Sequence, residues 1–501
     1  MGDNYYIGID LGMINSVLAY TDEDGNIEIQ HWNNGYSRFP SVVLMTPRAN
    51  YAGYPALERK DTEPKCHLVS NFKRMLGTDH KQKIFETEYR VTELYAMILR
   101  KMLSIFEEDH GYKVEKAVIA VPADFGDAER EATLKVSKIA GIKDTVIINE
   151  ADAAAISYYY DNEDISGNVA VYDIGGGTFD VTILSVDENG FTVLSNEGSK
   201  YLGGRDWDLH LASIIQKKVV NLTDLTPSDM DSDGDLRRRI LDEAERLKII
   251  LDRVDTANGS VCVNGNRVRF RITRRELDNA TSGLVNRTVE MTRTAIESAG
   301  INGNDLNRIV LVGGPSITPL IRTSLEEAFP EVEIIRYDPV HAVAKGAAEY
   351  ARSAFGDGDL NLRSVLSKTY GLKMGIDGEE KVCNIIYRNT PLPLKRTVTC
   401  RPKADDLNEL EIVVYSTRAD PGEDSTDLET ARLVNSFTLF LEGRITRSKT
   451  KIDITFTADV DGTMGIDVSC NGHNYKCDLG KDVYMTEEET LSSIRKVWEV
   501  Q

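Results

Sequence analysis

Two apolar runs of this chain end in the same way. YYIGIDLGMINSVLAY carries Asp10 and Gly12 at the end of one run, and NVAVYDIGGGTFDVTIL carries Asp173, Gly175, Gly176 and Gly177 at the end of another. A glycine turn lets backbone N–H groups approach phosphate oxygens, and a carboxylate at a strand end can organise a magnesium ion and its waters. Repeated twice, the pattern predicts a two-lobed clamp on the phosphates of a nucleotide. In the second copy the Thr178 hydroxyl and the Asp180 carboxylate fall in the same DIGGGTFD stretch. Taken alone that stretch also reads as a β-hairpin turn; the first copy argues against it. RIVLVGGPSITP adds a third strand-to-helix glycine turn at Gly313 and Gly314, where backbone can pass a sugar or base, although such turns are also common punctuation.

These turns need elements to hold them. From Tyr5 to Met45, short alternating runs broken by EDGN and NNGY read as a meander of strands. Amphipathic helices follow in TELYAMILRKMLSIFEED, DAEREATLKVSKIAG, GRDWDLHLASIIQKKVV, DLRRRILDEAERLKIIL and RRELDNATSGLVNRTVEMTRTAIESAG, interleaved with strands such as KAVIAVP, TVIIN and RIVLVGG. Strands alternating with helices imply an α/β fold. Near Ala354 the pattern breaks into FGDGDLNLRSVL, and beyond it KVCNIIY, LEIVVY, SFTLFL, KIDITFTA and MGIDVSC have the short, turn-bounded alternation of an all-β sandwich. MTEEETLSSIRKVWEV then reads as one amphipathic helix capped by Thr486. The expected divisions are 1–354, a linker 355–365, a β-sandwich 366–485 and a helix 486–501.

Composition narrows the function. A chain of 501 residues has room for two or three domains, and its net charge of −21 disfavours nucleic acid and acidic membranes as partners. No apolar run approaches the roughly 18 residues of a membrane span, and MGDNYYIGID lacks the basic region of a signal peptide. The six cysteines are scattered without metal-type pairs, as for reduced thiols in the cytoplasm. DMDSDGD has part of a calcium-loop spacing, but Ile240 stands where the closing glutamate would be, so it reads as an acidic loop entering a helix. No Ser-His-Asp or Cys-His grouping stands out among the seven histidines.

The order DLG, VPADFGDAER, INEADAAA, DIGGGTFD, LGGRDWD, ERLKIIL and LVGGPSITP resembles the nucleotide-binding domain of the seventy-kilodalton heat-shock chaperones (DnaK-type), of the actin and sugar-kinase fold class. NTPLPLK and DVDGTMGIDVS extend the resemblance, more loosely, into that family's peptide-binding β-domain. It implies an actin-like two-lobed ATPase domain, a duplicated ribonuclease-H-like α/β fold, followed by a β-sandwich. It also implies ATP/ADP, Mg²⁺ and K⁺ as cofactors. The implied partners are extended or unfolded polypeptide, J-domain co-chaperones and a nucleotide-exchange factor. Carried over by position, Asp10 and Asp173 hold the waters of Mg²⁺, Glu150 helps position the metal or the attacking water, and Lys73 of NFKRMLG reaches the terminal phosphates. Thr178 bonds near the γ-phosphate, and Asp180 helps bind the monovalent cation. The nucleotide contacts would come from Gly12, Met13, Ile14, Asn15, Gly175, Gly176, Gly177, Gly203, Gly204, Glu245, Lys248, Ile249, Asp252, Gly313, Gly314 and Ile317. By spacing alone Glu245 and Lys248 are a surface ion pair; the resemblance places them on the ribose.

Departures from the family pattern carry their own expectations. Met13 and Ile14 replace two threonines beside the phosphates, removing two hydroxyl contacts at about 0.5–1.5 kcal/mol each and implying slower turnover. Ile317 replaces an arginine over the base, Asp252 a serine and Val340 an aspartate, leaving an apolar slot with altered base contacts. Pro122 and Arg130 match the family's relay between domains. The linker keeps Leu360, Leu362, Val365 and Leu366, but Arg363 interrupts it, which weakens the expected coupling. Leu372, Met374, Leu410 and Ile412 are candidates for the peptide cleft and read equally well as sandwich core; Thr399 stands where the family has a large apolar residue. With one helix where the family carries a lid, a bound peptide is expected to leave faster. The reading is an ATP-dependent chaperone that captures extended apolar segments. The alternative is a nucleotide-gated scaffold with little hydrolysis, and a third, a sugar or metabolite kinase, is disfavoured by the β-rich final third.

Overall fold

The apolar run that ends at Asp10 becomes the central strand of a sheet ordered Asp144–Asn149, Lys116–Val121, Ile7–Asp10, Asn15–Thr21 and Ile27–Ile29, with Phe39–Pro40 pairing off this path to Asn15–Thr21. The computed structural model describes residues 5–22, 24–32, 35–162, 166–187, 190–356, 358, 360, 362–376, 378–460, 462–479, 487–498 and 500. A second sheet repeats the plan, ordered Glu333–Arg336, Leu306–Val312, Gly167–Ile174, Phe179–Asp187 and Gly190–Ser199. Each has an antiparallel three-strand meander followed by two parallel strands reached through helices. The repeat foreseen from two glycine turns is thus a repeat of whole lobes, with Asp10 and Asp173 at matching strand ends.

The expected helices form as Val91–His110, Asp127–Ala140, Gly204–Leu222, Gly234–Leu251 and Arg274–Ser298. Local chemistry sets their ends: Glu93 accepts from the Arg90 backbone N–H at 2.8 Å at the start of Val91–His110, and Gly111 in the left-handed region closes it. Asp233, in the segment with partial calcium-loop spacing, caps Gly234–Leu251 by accepting from the Leu236 N–H at 2.9 Å. That segment enters a helix as expected, although Pro227–Ser232 is itself helical. Two alanine-rich helices, Glu150–Tyr160 and Ala342–Phe355, pack on each other between the two sheets. Their small side chains let strands from both lobes share one core.

After Ala342–Phe355 the chain adds a sixth strand to the second sheet, Leu362–Arg363 running parallel to Gly190–Ser199. Leu362 packs on the shared core while Arg363 is exposed. The arginine expected to break the linker therefore occupies the outward position of a strand and interrupts nothing. Beyond lie a five-stranded sheet (Ser425–Asp427, Glu379–Ile386, Thr369–Ile376, Leu407–Thr417, Arg432–Ile445) and a four-stranded one (Leu394–Cys400, Ile452–Ala458, Met464–Cys470, His473–Asp478). Leu372 and Ile412 are buried in the core between these sheets, alongside Val414, Ile454, Phe456 and Val468. This corrects their reading as cleft residues: an alternating strand presents the same pattern to a core or a groove. Met374 and Leu410 are half-buried at the margin of that core, and Thr399 is exposed, donating to Asp453 Oδ1 at 2.5 Å.

The sandwich rests on the first two lobes through a charged seam. Asp124 takes Lys368 and, at 2.8 Å, Arg418; Glu197 takes Arg388 and, at 3.3 Å, Arg418; Glu129 takes Arg432 at 2.6 Å. The final helix Glu487–Val497 lies on Val91–His110 and Asp127–Ala140, with Val497 fully buried and the Trp498 indole donating to the Ile139 carbonyl at 2.9 Å. Its expected cap, Thr486, lies outside the described residues. Among the described residues no helix is long and apolar enough to cross a membrane.

Candidate nucleotide site

The matching strand ends converge on a cavity of about 510 Å³ between the lobes. The first turn lines it with Asp10, Gly12, Met13, Ile14 and Asn15, and the second with Asp173, Gly175, Gly176, Gly177 and Thr178. Lys73 enters from a 3₁₀ turn and Glu150 from the first turn of its helix; Gly204, Glu245, Lys248, Ile249, Asp252, Gly313, Gly314 and Ile317 complete the wall. Two expected residues stand outside it. Gly203 backs the second turn, where an added Cβ would lie 2.7 Å from the Gly177 backbone, so its smallness serves packing against that turn. Asp180 is buried behind Asp173, directly opposite it in the strand pair, and accepts from the Asp124 N–H at 3.3 Å.

Charge in the cleft is unbalanced. Lys73 Nζ meets Glu150 Oε1 at 2.7 Å with both side chains buried, and Asp10, Asp173 and Asp180 share the same ammonium. Burial, then the Glu150 charge, pushes the Asp10 carboxyl up to about 7, with Lys73 pulling the other way. Burial, Glu150 and Asp10 hold Asp173 well above the carboxylate range, and burial, Glu150 and Asp173 do the same to Asp180. Burial opposes the charge on Lys73, but Glu150 and Asp10 overcome it and raise its pKa. Four carboxylates around one ammonium, beside two glycine turns, suit a triphosphate with a cation. Among the described residues no three metal-ligating side chains are close enough to cage an ion directly.

The two turns interlock across the cleft. An added Cβ on Gly177 would stand 2.1 Å from Met13 Sδ, and one on Gly176 would stand 3.0 Å from Ile14 Cδ1. The residues that replace the expected threonines therefore fill the gaps left by the opposite glycines. Further along, Lys248 pairs with Asp208 at 2.6 Å and donates to the Gly204 carbonyl at 3.0 Å, so it is not the partner of Glu245 that helical spacing suggested. Burial and Asp208 push the Glu245 carboxyl up. Ile249 and Ile317 form the apolar slot with Val340, and Asp252 accepts from Thr318 Oγ1 at 3.0 Å, its carboxyl raised by burial.

Some cleft residues were not foreseen. Arg74 donates to the Gly177 carbonyl at 2.7 and 3.1 Å and to Asp206 at 2.6 Å, tying the Lys73 turn to the second lobe. Its place directly after Lys73 is the only signal the sequence holds. Ser37, His341 and Asp338 form a chain on the rim, Ser37 Oγ lying 2.8 Å from His341 Nε2 and His341 Nδ1 2.9 Å from Asp338. No such grouping stands out in the sequence, because Ser37 and His341 are 304 residues apart. Asp338 also caps the His341 N–H at 3.1 Å and pairs with Lys345 at 2.9 Å, so the chain straps the Ser37 loop to the start of Ala342–Phe355.

A polar path leaves the cleft beneath Glu150. Pro122 is buried at a strand end, and Arg130 donates to Asn149 Oδ1 at 2.5 Å and to the Phe125 carbonyl at 3.2 Å. Asn149 donates to Asp152 Oδ2 at 2.9 Å, and the same oxygen accepts from Ser364 Oγ of the linker at 3.2 Å.

Comparison with known proteins agrees with this geometry. The family model described as Hsp70 protein matches residues 6–91 and 81–493. A chaperone protein DnaK of Thermosipho melanesiensis is 32% identical over 476 residues, covering 92% of this chain and 77% of the relative. One from Thermotoga maritima is 33% identical over 472 residues (92% and 78%), and one from Mesomycoplasma hyopneumoniae is 30% identical over 510 residues (100% and 82%).

Proposed function

The chain belongs to the Hsp70 protein family of ATP-dependent chaperones, and from that premise we propose how its own residues divide the work. The family binds ATP or ADP with a divalent metal; we take the metal to be Mg²⁺, held through water by Asp10 and Asp173, and K⁺ to lie near Asp180. When bound, ATP would supply the phosphoryl group, and Mg²⁺ the positive charge that both the phosphates and the carboxylates of the cleft require. Lys73 meets the terminal phosphates while Glu150 fixes its ammonium, and Glu150 stands ready to orient a water and accept its proton. Thr178 and the N–H groups of both turns donate to phosphate oxygens. Arg74 holds the second turn in register with Lys73. The observation that carries this reading is the single buried ammonium among four carboxylates where two glycine turns meet.

The domain work follows the same lines. We read 1–354 as the ATPase domain, 355–365 as linker, 366–485 as peptide-binding sandwich and 486–501 as the start of a lid. Arg130, Asn149, Asp152 and Ser364 connect the base of the Glu150 helix to the linker strand, so a change at the cleft can alter docking of the sandwich. Met374 and Leu410 stay as peptide contacts. J-domain and exchange-factor partners and a cytoplasmic location complete the proposal.

Single-turnover phosphate release tests it. Lys73→Ala should slow release at least about 100-fold, because the residue both neutralises developing charge and keeps Glu150 paired. Release that survives in that variant would overturn the assignment. An apolar peptide should also shift nucleotide affinity, since coupling is reciprocal.

A further inference from the structure

One face of the second lobe runs against the charge of the whole chain. Residues 237–275 hold eleven Lys and Arg against five Asp and Glu, in a protein of net charge −21. Within this segment Thr256–Val263 and Asn266–Thr273 form a separate two-stranded sheet. Phe270 and Ile272 turn inward with Ala257, Val261 and Val263 to join the core of the lobe. The alternate positions Arg267, Arg269 and Arg271 all face outward and are exposed. Their cross-strand neighbours are Cys262, Ser260 and Asn258, so this face of the sheet carries no carboxylate. Arg267 donates to Ser260 Oγ at 3.0 Å, and Arg269 and Arg271 form no ion pair among the described residues.

The two edges of this sheet also differ. On Thr256–Val263, the Ser260 N–H donates to Glu243 at 2.8 Å and Arg246 donates to the Asn258 carbonyl at 3.1 Å, so helix side chains cover that edge. Among the described residues Asn266–Thr273 pairs with no strand on its other side. An unpaired edge is a template for an added strand.

We propose that the Asn266–Thr273 edge docks an extended protein segment with acidic residues at alternate positions. Alternate residues of any strand recur about every 6.7 Å, so such a segment can set one carboxylate beside each of the three arginines while its backbone bonds to the edge. Arginine favours the carboxylate in that geometry. A nucleic acid fits less well. The face offers no exposed aromatic ring for base stacking, and a long polyphosphate would meet the net negative charge beyond the patch.

The test uses the full chain and a fluorescently labelled Val-Glu repeat peptide, followed by anisotropy in the presence of a saturating unlabelled apolar peptide to occupy the β-sandwich. Binding should weaken at least about tenfold in Arg269→Glu/Arg271→Glu and severalfold in Arg269→Gln/Arg271→Gln, with ATP affinity and melting temperature unchanged. It should also weaken when alternate backbone amides of the peptide are N-methylated. Binding that persists in the double charge reversal, or that the apolar peptide abolishes, would overturn the proposal. So would a single-stranded oligonucleotide of equal charge that binds more tightly than the peptide.

Discussion

The nucleotide cleft and the seam between the lobes and the sandwich bury charge in opposite ways. In the cleft Asp10, Glu150, Asp173 and Asp180 surround one lysine, and three of these carboxyls are driven upward in pKa. In the seam Asp124, Glu129 and Glu197 meet Lys368, Arg388, Arg418 and Arg432, with Lys200 adding a further contact to Glu129 at 2.8 Å. Despite burial, Arg432 and Lys200 hold the Glu129 carboxyl below its ordinary value. The difference separates a binding site from a joint. The joint gives each buried carboxylate a cation of its own and carries its excess as positive charge, burial and the neighbouring arginines pushing Lys368 down to about 7. The binding site instead crowds its carboxylates on one lysine and leaves room for a cation.

Removing one charge from each region should therefore have opposite effects on the protein. Arg388→Ala strips Glu197 of a buried partner, and breaking such a pair costs about 3–5 kcal/mol. The sandwich should undock, seen as faster amide exchange in Leu362–Arg363; unchanged exchange would mean that charge does not hold the joint. Asp173→Asn removes a carboxylate whose ionised form the cleft disfavours. A folded-state pKa above the unfolded value gives stability that is present at low pH and lost as pH rises through the folded pKa, so at pH 8 Asp173 costs the nucleotide-free fold free energy, because it ionises freely only in the unfolded chain. Asparagine cannot ionise there. The variant should melt at a higher temperature without nucleotide and lose Mg²⁺-dependent nucleotide binding. A lower melting temperature would contradict the imbalance.

The interlocked turns refine the picture within the cleft. Met13→Thr/Ile14→Thr restores two hydroxyls beside the phosphates and empties the contacts on Gly176 and Gly177. At about 0.5–1.5 kcal/mol per hydroxyl, fully realised in the transition state, single-turnover hydrolysis should quicken roughly 5- to 150-fold, with some stability lost because Met13 is buried. No change in rate would show that backbone donors and Lys73 already suffice.

The cleft could be read from the chain because its chemistry is written in contiguous pieces. DLG, DIGGGTFD and NFKRMLG each bring strand, turn and charge within a few residues, and family order joins them. The α/β class and the sandwich followed from periodicity, whereas the duplicated two-lobed domain was implied by the family resemblance. The seam could not be read, since Glu197 and Arg388 are 191 residues apart and no local spacing links them. Ser37 and His341 stayed hidden for the same reason. Leu372 and Ile412 were ambiguous for another: a period of two gives which residues share a face, not what covers it. The hairpin at Asn264 and Gly265 was missed despite a legible signal, an Asn-Gly pair with both residues in the left-handed region.

Asp152 joins the two regions and offers the finest test. It sits two residues beyond Glu150 but faces the linker, where Oδ2 accepts from Asn149 and Ser364 while Oδ1 has no hydrogen-bond partner among the described residues. Around it stand Arg130, whose charge favours ionisation, and Tyr370, which is hydrogen-bonded to Asp127. Burial prevails and pushes the carboxyl up to about 6. Because this value lies above that of a free carboxyl, folding of this region is favoured by the neutral acid and loses strength as pH rises through 6. Between pH 5.5 and 7.5 the folding constant should fall about fourfold from this group alone. Asp152→Asn keeps the acceptor for Ser364 without the charge, so the exchange of Leu362–Arg363, corrected for its intrinsic pH dependence, should lose that slope. If the slope is the same in both proteins, Asp152 does not titrate at the joint, and the link between cleft and seam must run through Arg130 alone.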